Sequence, residues 1–79
     1  MSEFTVYGKT GCGFCDRLVD FMKQKDIPYT KLMLGEDYTT EEFVTKFGHG
    51  ATFPRVIYEG ELIGGMKDTV KYLVENNHV

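Results

Sequence analysis

Seventy-nine residues with 42% apolar content suit one compact domain, expected here to run over 1–79, and leave too little chain for a second core. Twelve acids against nine bases give a net charge of −3 and a pI near 5.2. That balance argues against the extended phosphate-binding face of a nucleic-acid protein. No apolar run approaches the length of a membrane span, and Met1-Ser2-Glu3-Phe4 offers neither a basic nor an apolar signal segment. The expectation is a cytoplasmic protein with no nucleic-acid or membrane partner, in a compartment that keeps thiols reduced.

Phe4 to Tyr7 is a short β-prone run that stops at Gly8, and the glycine-rich segment Gly8 to Gly13 leads from it into a helical pattern. Cys15, Leu18, Val19 and Met22 recur at i, i+3, i+4, i+7, which predicts one buried helix face. This helix should fray near Asp26, because Pro28 disfavours helical geometry at Ile27. Tyr29 to Leu34 is the second strand candidate, closed by Gly35-Glu36-Asp37. Thr39 and Glu42 have the spacing of a capping box, with Phe43, Val44 and Phe47 on the face of the helix that follows and Gly48 as its stop. Arg55 to Tyr58 and Glu61 to Gly64 flank Glu59-Gly60, a two-residue connection suited to a tight hairpin. Met66, Val70, Leu73 and Val74 then repeat at helical spacing. The order β-α-β-α-β-β-α predicts a four-stranded mixed sheet, one parallel crossover pair plus a hairpin, flanked by three helices.

Chemistry concentrates at Cys12-Gly13-Phe14-Cys15, where the first strand hands over to the first helix. Free N–H groups at a helix N-terminus favour a thiolate, and Lys9 adds a full positive charge three residues upstream. The Cys12 pKa is therefore expected below the ~8.5 of a free thiol. Cys15, a turn further in, is the more shielded partner and the natural resolving thiol. A zinc site would need four ligands, and the only histidines, His49 and His78, stand alone and far apart. They read as a loop residue and a frayed terminus. An inert pair of core thiols is the remaining bland alternative, and the glycine-flanked position argues for exposure instead.

Three motifs in order resemble the glutaredoxin family over essentially the whole chain. Lys9-Thr10-Gly11-Cys12-Gly13-Phe14-Cys15 is similar to its Lys-x-x-Cys-x-aromatic-Cys site, Thr52-Phe53-Pro54 to its Thr-Val-Pro loop, and Gly64-Gly65-Met66-Lys67-Asp68 to its Gly-Gly-x-x-Asp segment. The resemblance implies a thioredoxin-like fold with a cis peptide before Pro54, and glutathione as cosubstrate. Lys9 would then pair with the glycyl carboxylate, and the Phe53 backbone, presented by the turn at Pro54, would bond the cysteinyl part. The N–H groups of Met66 and Lys67, after Gly65, would hold the γ-glutamyl carboxylate, Asp68 would take its ammonium, and Phe14 would wall the site beside Cys12. The partners implied are glutathione and disulfide-containing or glutathionylated proteins, ribonucleotide reductase among the candidates, met by a monomer.

Three departures from the commonest dithiol pattern stand out. Gly13 replaces Pro and Phe14 replaces Tyr, so CGFC differs only in its last residue from the CGFS of cluster-carrying monothiol glutaredoxins. Phe53 stands where Val is usual and crowds the groove, and Lys67 stands where Asp or Ser is usual and adds a cation. The expected activity is glutathione-dependent thiol–disulfide exchange, Cys12 attacking and Cys15 or glutathione resolving, with no metal required. The alternative is a module in which two chains share a [2Fe–2S] cluster through Cys12 and glutathione.

Overall fold

The computed structural model describes residues 3–76, so His78 lies outside the described residues. Strand β1 spans Phe4–Gly8, helix α1 Gly13–Gln24, β2 Tyr29–Met33, α2 Thr40–Phe47, β3 Arg55–Tyr58, β4 Glu61–Gly64 and α3 Met66–Glu75. The order is the expected one. The strands lie in the sequence β2-β1-β3-β4, with β1 parallel to β2 and antiparallel to β3, and β3 antiparallel to β4.

Alternation along β1 sorts its side chains between two faces. Phe4 and Val6 are buried on one face with Leu18, Val19 and Met22 of α1, Val56 of β3 and Leu73 of α3. Phe4 stacks on Tyr58 at 4.1 Å between ring centres and meets Tyr72 edge-on at 6.2 Å. Tyr7 points to the opposite face, where it meets Tyr38 at 5.2 Å and Phe47 of α2 at 5.0 Å. Helices α1 and α3 thus close one side of the sheet, and α2 closes the other through aromatic contacts.

Local signals set the boundaries. Helix α1 ends at Gln24, and Asp26 turns the chain with φ 55° two residues before Pro28. Strand β2 ends one residue short of the expected Leu34, because Gly35 N–H bonds Tyr38 C=O at 2.8 Å and closes a turn. Glu59 and Gly60, at φ 53° and 81°, give the hairpin two consecutive left-handed residues, the geometry whose twist matches paired strands. Val56 pairs with Gly64 while Ile57 pairs with Leu62, so Ile63 is the extra residue of a bulge at the end of β4. That bulge brings Gly64 to the sheet edge where α3 begins.

Candidate active site

Three loops converge at one end of the sheet: β1 to α1, α2 to β3, and β4 to α3. In the first, Cys12 is the N-cap of α1, with its Sγ accepting the Cys15 N–H at 3.2 Å. The two cysteines are joined as a disulfide across a Cα–Cα distance of 5.3 Å. Cys15 is fully buried as expected. Cys12 is only 8% exposed, against the exposure expected from its glycine neighbours: its sulfur is taken up by the bond to the buried Cys15 and by the Cys15 N–H.

The second loop holds Thr52, Phe53 and Pro54, with the Phe53–Pro54 peptide cis. Arg55 fastens it, its Nε donating to the Thr52 carbonyl at 2.9 Å and its Nη2 to the Thr52 hydroxyl at 3.2 Å. The Phe53 ring stacks on Phe43 of α2 at 4.4 Å, and Lys9 Nζ lies over the Phe53 ring, 5.0 Å from its centre. Lys9 therefore rests on the loop opposite the cysteines, on an aromatic face that attracts cations.

In the third loop Gly65 is the N-cap of α3 and has no side chain to turn back onto the helix. Only the return half of a box exists, Gly65 N–H donating to Asp68 Oδ2 at a long 3.4 Å. The first amides of α3 are left facing outward, the arrangement that accepts an anion. Gly64 is required by its backbone: φ is 128°, and a Cβ there would come within 2.8 Å of the Asp68 Cβ.

Between these loops lies a groove of about 530 Å³ lined by Phe14, Thr52, Phe53, Pro54, Arg55, Gly65, Met66, Lys67 and Asp68. The structure thus brings together Phe14, Thr52, Phe53, Pro54, Gly65, Met66, Lys67 and Asp68 of the three motifs; Cys12 and Cys15 are outside the lining, next to Phe14 in the chain, and Lys9 lies over the Phe53 ring. Phe14, 59% exposed, offers an open ring at the cysteine end. Two cations were missed in the sequence: Arg55 in the lining, and Arg17, whose guanidinium lies 5.8 Å from the centre of the Phe14 ring. Both follow their partners by three residues, a spacing that could have flagged Arg17 on a helix. A larger hollow of about 680 Å³ lies along α2, lined by Tyr7, Asp37, Tyr38 and Glu42 among others. Neither cavity has a cysteine in its lining; the smaller groove takes in Phe14, the residue between Gly13 and Cys15, and the larger takes in no residue of the Cys12–Cys15 segment. His49 is an exposed loop residue.

The family model described as Glutaredoxin matches residues 4–63. Over 68 residues, 86% of this chain, the sequence is 31% identical to Glutaredoxin 3 of Danio rerio, and over 54 residues, 68% of the chain, 35% identical to Monothiol glutaredoxin-S11 of Oryza sativa subsp. japonica. The chain spans only 21% and 11% of those two proteins. Its fold superposes on a buckwheat glutaredoxin–glutathione complex with a TM-score of 0.77 at 22% identity, covering 98% of this chain and 73% of the other. With the family pattern running over most of the sequence and the fold agreeing from end to end, the chain belongs to the glutaredoxin family.

Proposed function

We propose that the chain is a glutathione-dependent thiol–disulfide oxidoreductase acting in the cytoplasm on glutathionylated and disulfide-bonded proteins. The observation that carries this reading is the sulfur of Cys12 at the N-cap of α1, linked to Cys15 on the far side of Phe14, which lines a groove that also takes in the first residues of α3. The buckwheat structure is a complex with glutathione, and the groove here, with Lys9 over the Phe53 ring and Lys67 at the start of α3, suits a ligand with a carboxylate at each end.

In the reaction the Cys12 thiolate attacks the glutathione sulfur of a mixed disulfide. A bond forms between Cys12 and glutathione, the old S–S bond breaks, and the protein substrate leaves as a thiolate that takes a proton from water. A second glutathione thiolate then attacks the glutathione sulfur on Cys12, giving oxidised glutathione and the starting thiolate. With a protein disulfide, Cys12 forms the mixed disulfide with one substrate sulfur. Cys15 displaces that sulfur, and two glutathiones later reopen the Cys12–Cys15 bond. The chain's own residues supply position: the start of α3 and Asp68 for the γ-glutamyl end, the Phe53 backbone for the middle, Lys9 for the glycyl carboxylate.

The test is turnover of a small glutathione mixed disulfide by the reduced protein with glutathione and glutathione reductase. Multiple turnover is the expected result, and a protein with reduced Cys12 that fails to turn over would end the reading. The second reading, a [2Fe–2S] carrier, draws on the monothiol relative and on CGFC. Among the described residues no group of three or more cysteine, histidine, aspartate or glutamate side chains could hold a metal. In this reading a pair of chains shares the cluster through Cys12 and glutathione, and anaerobic reconstitution with glutathione would give a coloured dimer.

A further inference from the structure

We propose that Gly8 is a positioning residue for Cys15: its missing side chain is the notch that seats the resolving sulfur, and it thereby sets how readily the Cys12–Cys15 bond closes. The inference rests on the exchange reaction above. Phe4, Val6 and Gly8 alternate onto the same buried face of β1, against which α1 packs. The first two fill that face with side chains. At the third, an added Cβ would lie 3.3 Å from Cys15 Sγ and 3.4 Å from Cys15 Cβ, so the fully buried cysteine occupies the space a side chain would need. The backbone does not itself ask for glycine there, since its φ lies outside the left-handed region that Gly11 adopts at 79°. Glycine supplies space at this position, not a dihedral angle.

What an added Cβ would do depends on what can move. Gly8 is held in place: it pairs with Met33 in the parallel register of β1 and β2, and its carbonyl accepts the Tyr38 hydroxyl at 2.6 Å and the Leu34 N–H at 2.9 Å. Met33 Sδ lies 3.9 Å from the added atom, an ordinary contact. The adjustment, a few tenths of an ångström, therefore falls on Cys15. In the disulfide its sulfur is tied to Cys12, the N-cap of α1, and has no freedom to turn aside. In the dithiol that bond is gone and the sulfur is free to change rotamer. A methyl group in the notch thus disfavours the closed form more than the open one. The resolving step makes the same demand. There the Cys15 thiolate attacks the Cys12 sulfur, the Cys12–Cys15 bond forms as the bond from Cys12 to the substrate sulfur breaks, and the substrate leaves as a thiolate. The single-thiol route, in which glutathione attacks the glutathione sulfur on Cys12, does not use Cys15 at all.

The experiment equilibrates the parent and Gly8→Ala with mixtures of reduced and oxidised glutathione and reads the fraction of intramolecular disulfide by alkylation and mass. Oxidised glutathione takes two electrons from the dithiol, giving the protein disulfide and two molecules of reduced glutathione. Closure should be about tenfold less favourable in Gly8→Ala, the scale of an overpacked contact and equal to about 30 mV for this two-electron couple. In turnover, reduction of a protein disulfide should fall by about as much, and deglutathionylation of a small mixed disulfide by less than about twofold. An unchanged equilibrium constant, or an equal fall in both activities, would overturn the proposal while parent turnover kept the exchange reaction standing. A parent that closes its disulfide but turns nothing over would instead bring down the exchange reading. Should Gly8→Ala prove too unstable to assay, Gly8→Ala combined with Cys15→Ala decides the matter, because losing the sulfur relieves the closer contact. The double variant should then fold, and Gly8→Ala should cost less in the Cys15→Ala chain than in the parent by denaturant unfolding. Failure of both variants to fold, or an equal cost in both chains, would show that the notch does not serve the sulfur and would overturn the proposal.

Discussion

Helices α1 and α2 both begin by turning a side chain back onto their first free amides, and they use chemically opposite groups for that task. At α2, Thr39 Oγ1 accepts the Glu42 N–H at 3.1 Å and Glu42 Oε1 accepts the Thr39 N–H at 2.9 Å. Tyr38, just before the cap, stacks at 5.9 Å on Phe43 in the first turn, which completes a hydrophobic staple. At α1 there is neither box nor staple, only the weak acceptor Cys12 Sγ on the Cys15 N–H. The α2 start has two of its free amides bonded by the box, and its cap carries no thiol. In the proposed reaction the α1 start leaves the positive end of the helix to stabilise a thiolate, and its cap residue would also be the nucleophile. Helix α3 extends the series, since Gly65 provides no cap and its amides stay free for a ligand.

The largest expected effect tests whether the α1 cap is a nucleophile first. Serine is a good N-cap, so Cys12→Ser should preserve the fold by circular dichroism and thermal melting. It should still lower both deglutathionylation and protein disulfide reduction by about a thousandfold or more, the scale of a lost nucleophile. Cys15→Ser should split the two: deglutathionylation stays at a sizeable fraction of the parent rate, and reduction by the dithiol route is lost. Equal loss of both activities in Cys15→Ser would mean that the attacking and resolving roles are wrongly assigned.

The next effect concerns the uncapped start of α3. Gly64→Ala places a Cβ against Asp68 at φ 128°, and should cost about 2–3 kcal/mol in denaturant unfolding. It should also raise the KM for glutathione, because Asp68 must swing away from Gly65. An alanine variant with parent stability and parent KM would show that this turn positions nothing.

What could be read from the sequence divides along the same line. The Thr39–Glu42 box, the Glu59-Gly60 turn and the Cys15 to Met22 stripe are local patterns, fixed by spacing of a few residues, and all three stand in the structure. The order of elements followed from them. The cis peptide at Pro54 came only through family resemblance, since the isomers of an X-Pro bond differ by about 0.5–1 kcal/mol and tertiary context decides. Contacts across the fold were not legible. Nothing in the sequence places Lys9 on Phe53, or Phe53 on Phe43, because those residues come from three separate segments. Phe53 was expected to crowd the groove; the ring lines it, but its stack on Phe43 ties the loop to α2. Arg55 went unnoticed because its use is to hold the backbone of Thr52, a role that composition and periodicity do not mark.

The boxed start of α2 predicts a smaller and purely structural effect. Thr39→Ala removes one half of the box and should destabilise by about 1 kcal/mol, lowering Tm by roughly 4–8 °C for a domain of this size. The kcat for a small mixed disulfide should not change at temperatures where the variant is folded. A fall in kcat would show that α2 communicates with the cysteines more strongly than its cap suggests.

An effect of similar size at neutral pH lies on a hydrogen bond between the residue before the α2 cap and the end of β1. Tyr38, next to the α2 cap, donates its hydroxyl to the carbonyl of Gly8 at 2.6 Å, and Gly8 is the last residue of β1 before the cysteine loop. The same carbonyl also accepts the Leu34 N–H at 2.9 Å, so it keeps a partner when the hydroxyl is removed. Tyr38→Phe should therefore cost only about 0.5–1.5 kcal/mol at neutral pH. Its sharper signature is in alkali. Burial pushes the Tyr38 hydroxyl up to about 12 from 10.0, and the nearby Tyr7 and Asp37 add to the rise. A group whose pKa is higher folded than unfolded contributes its stability fully below the unfolded value and loses it as pH climbs through the folded one. The parent should thus lose stability from about pH 10 toward about pH 12 more steeply than Tyr38→Phe, measured by denaturant midpoints across that range. Parallel curves would mean that the neutral hydroxyl contributes nothing there, and that the two helix starts are held in register by ring packing alone.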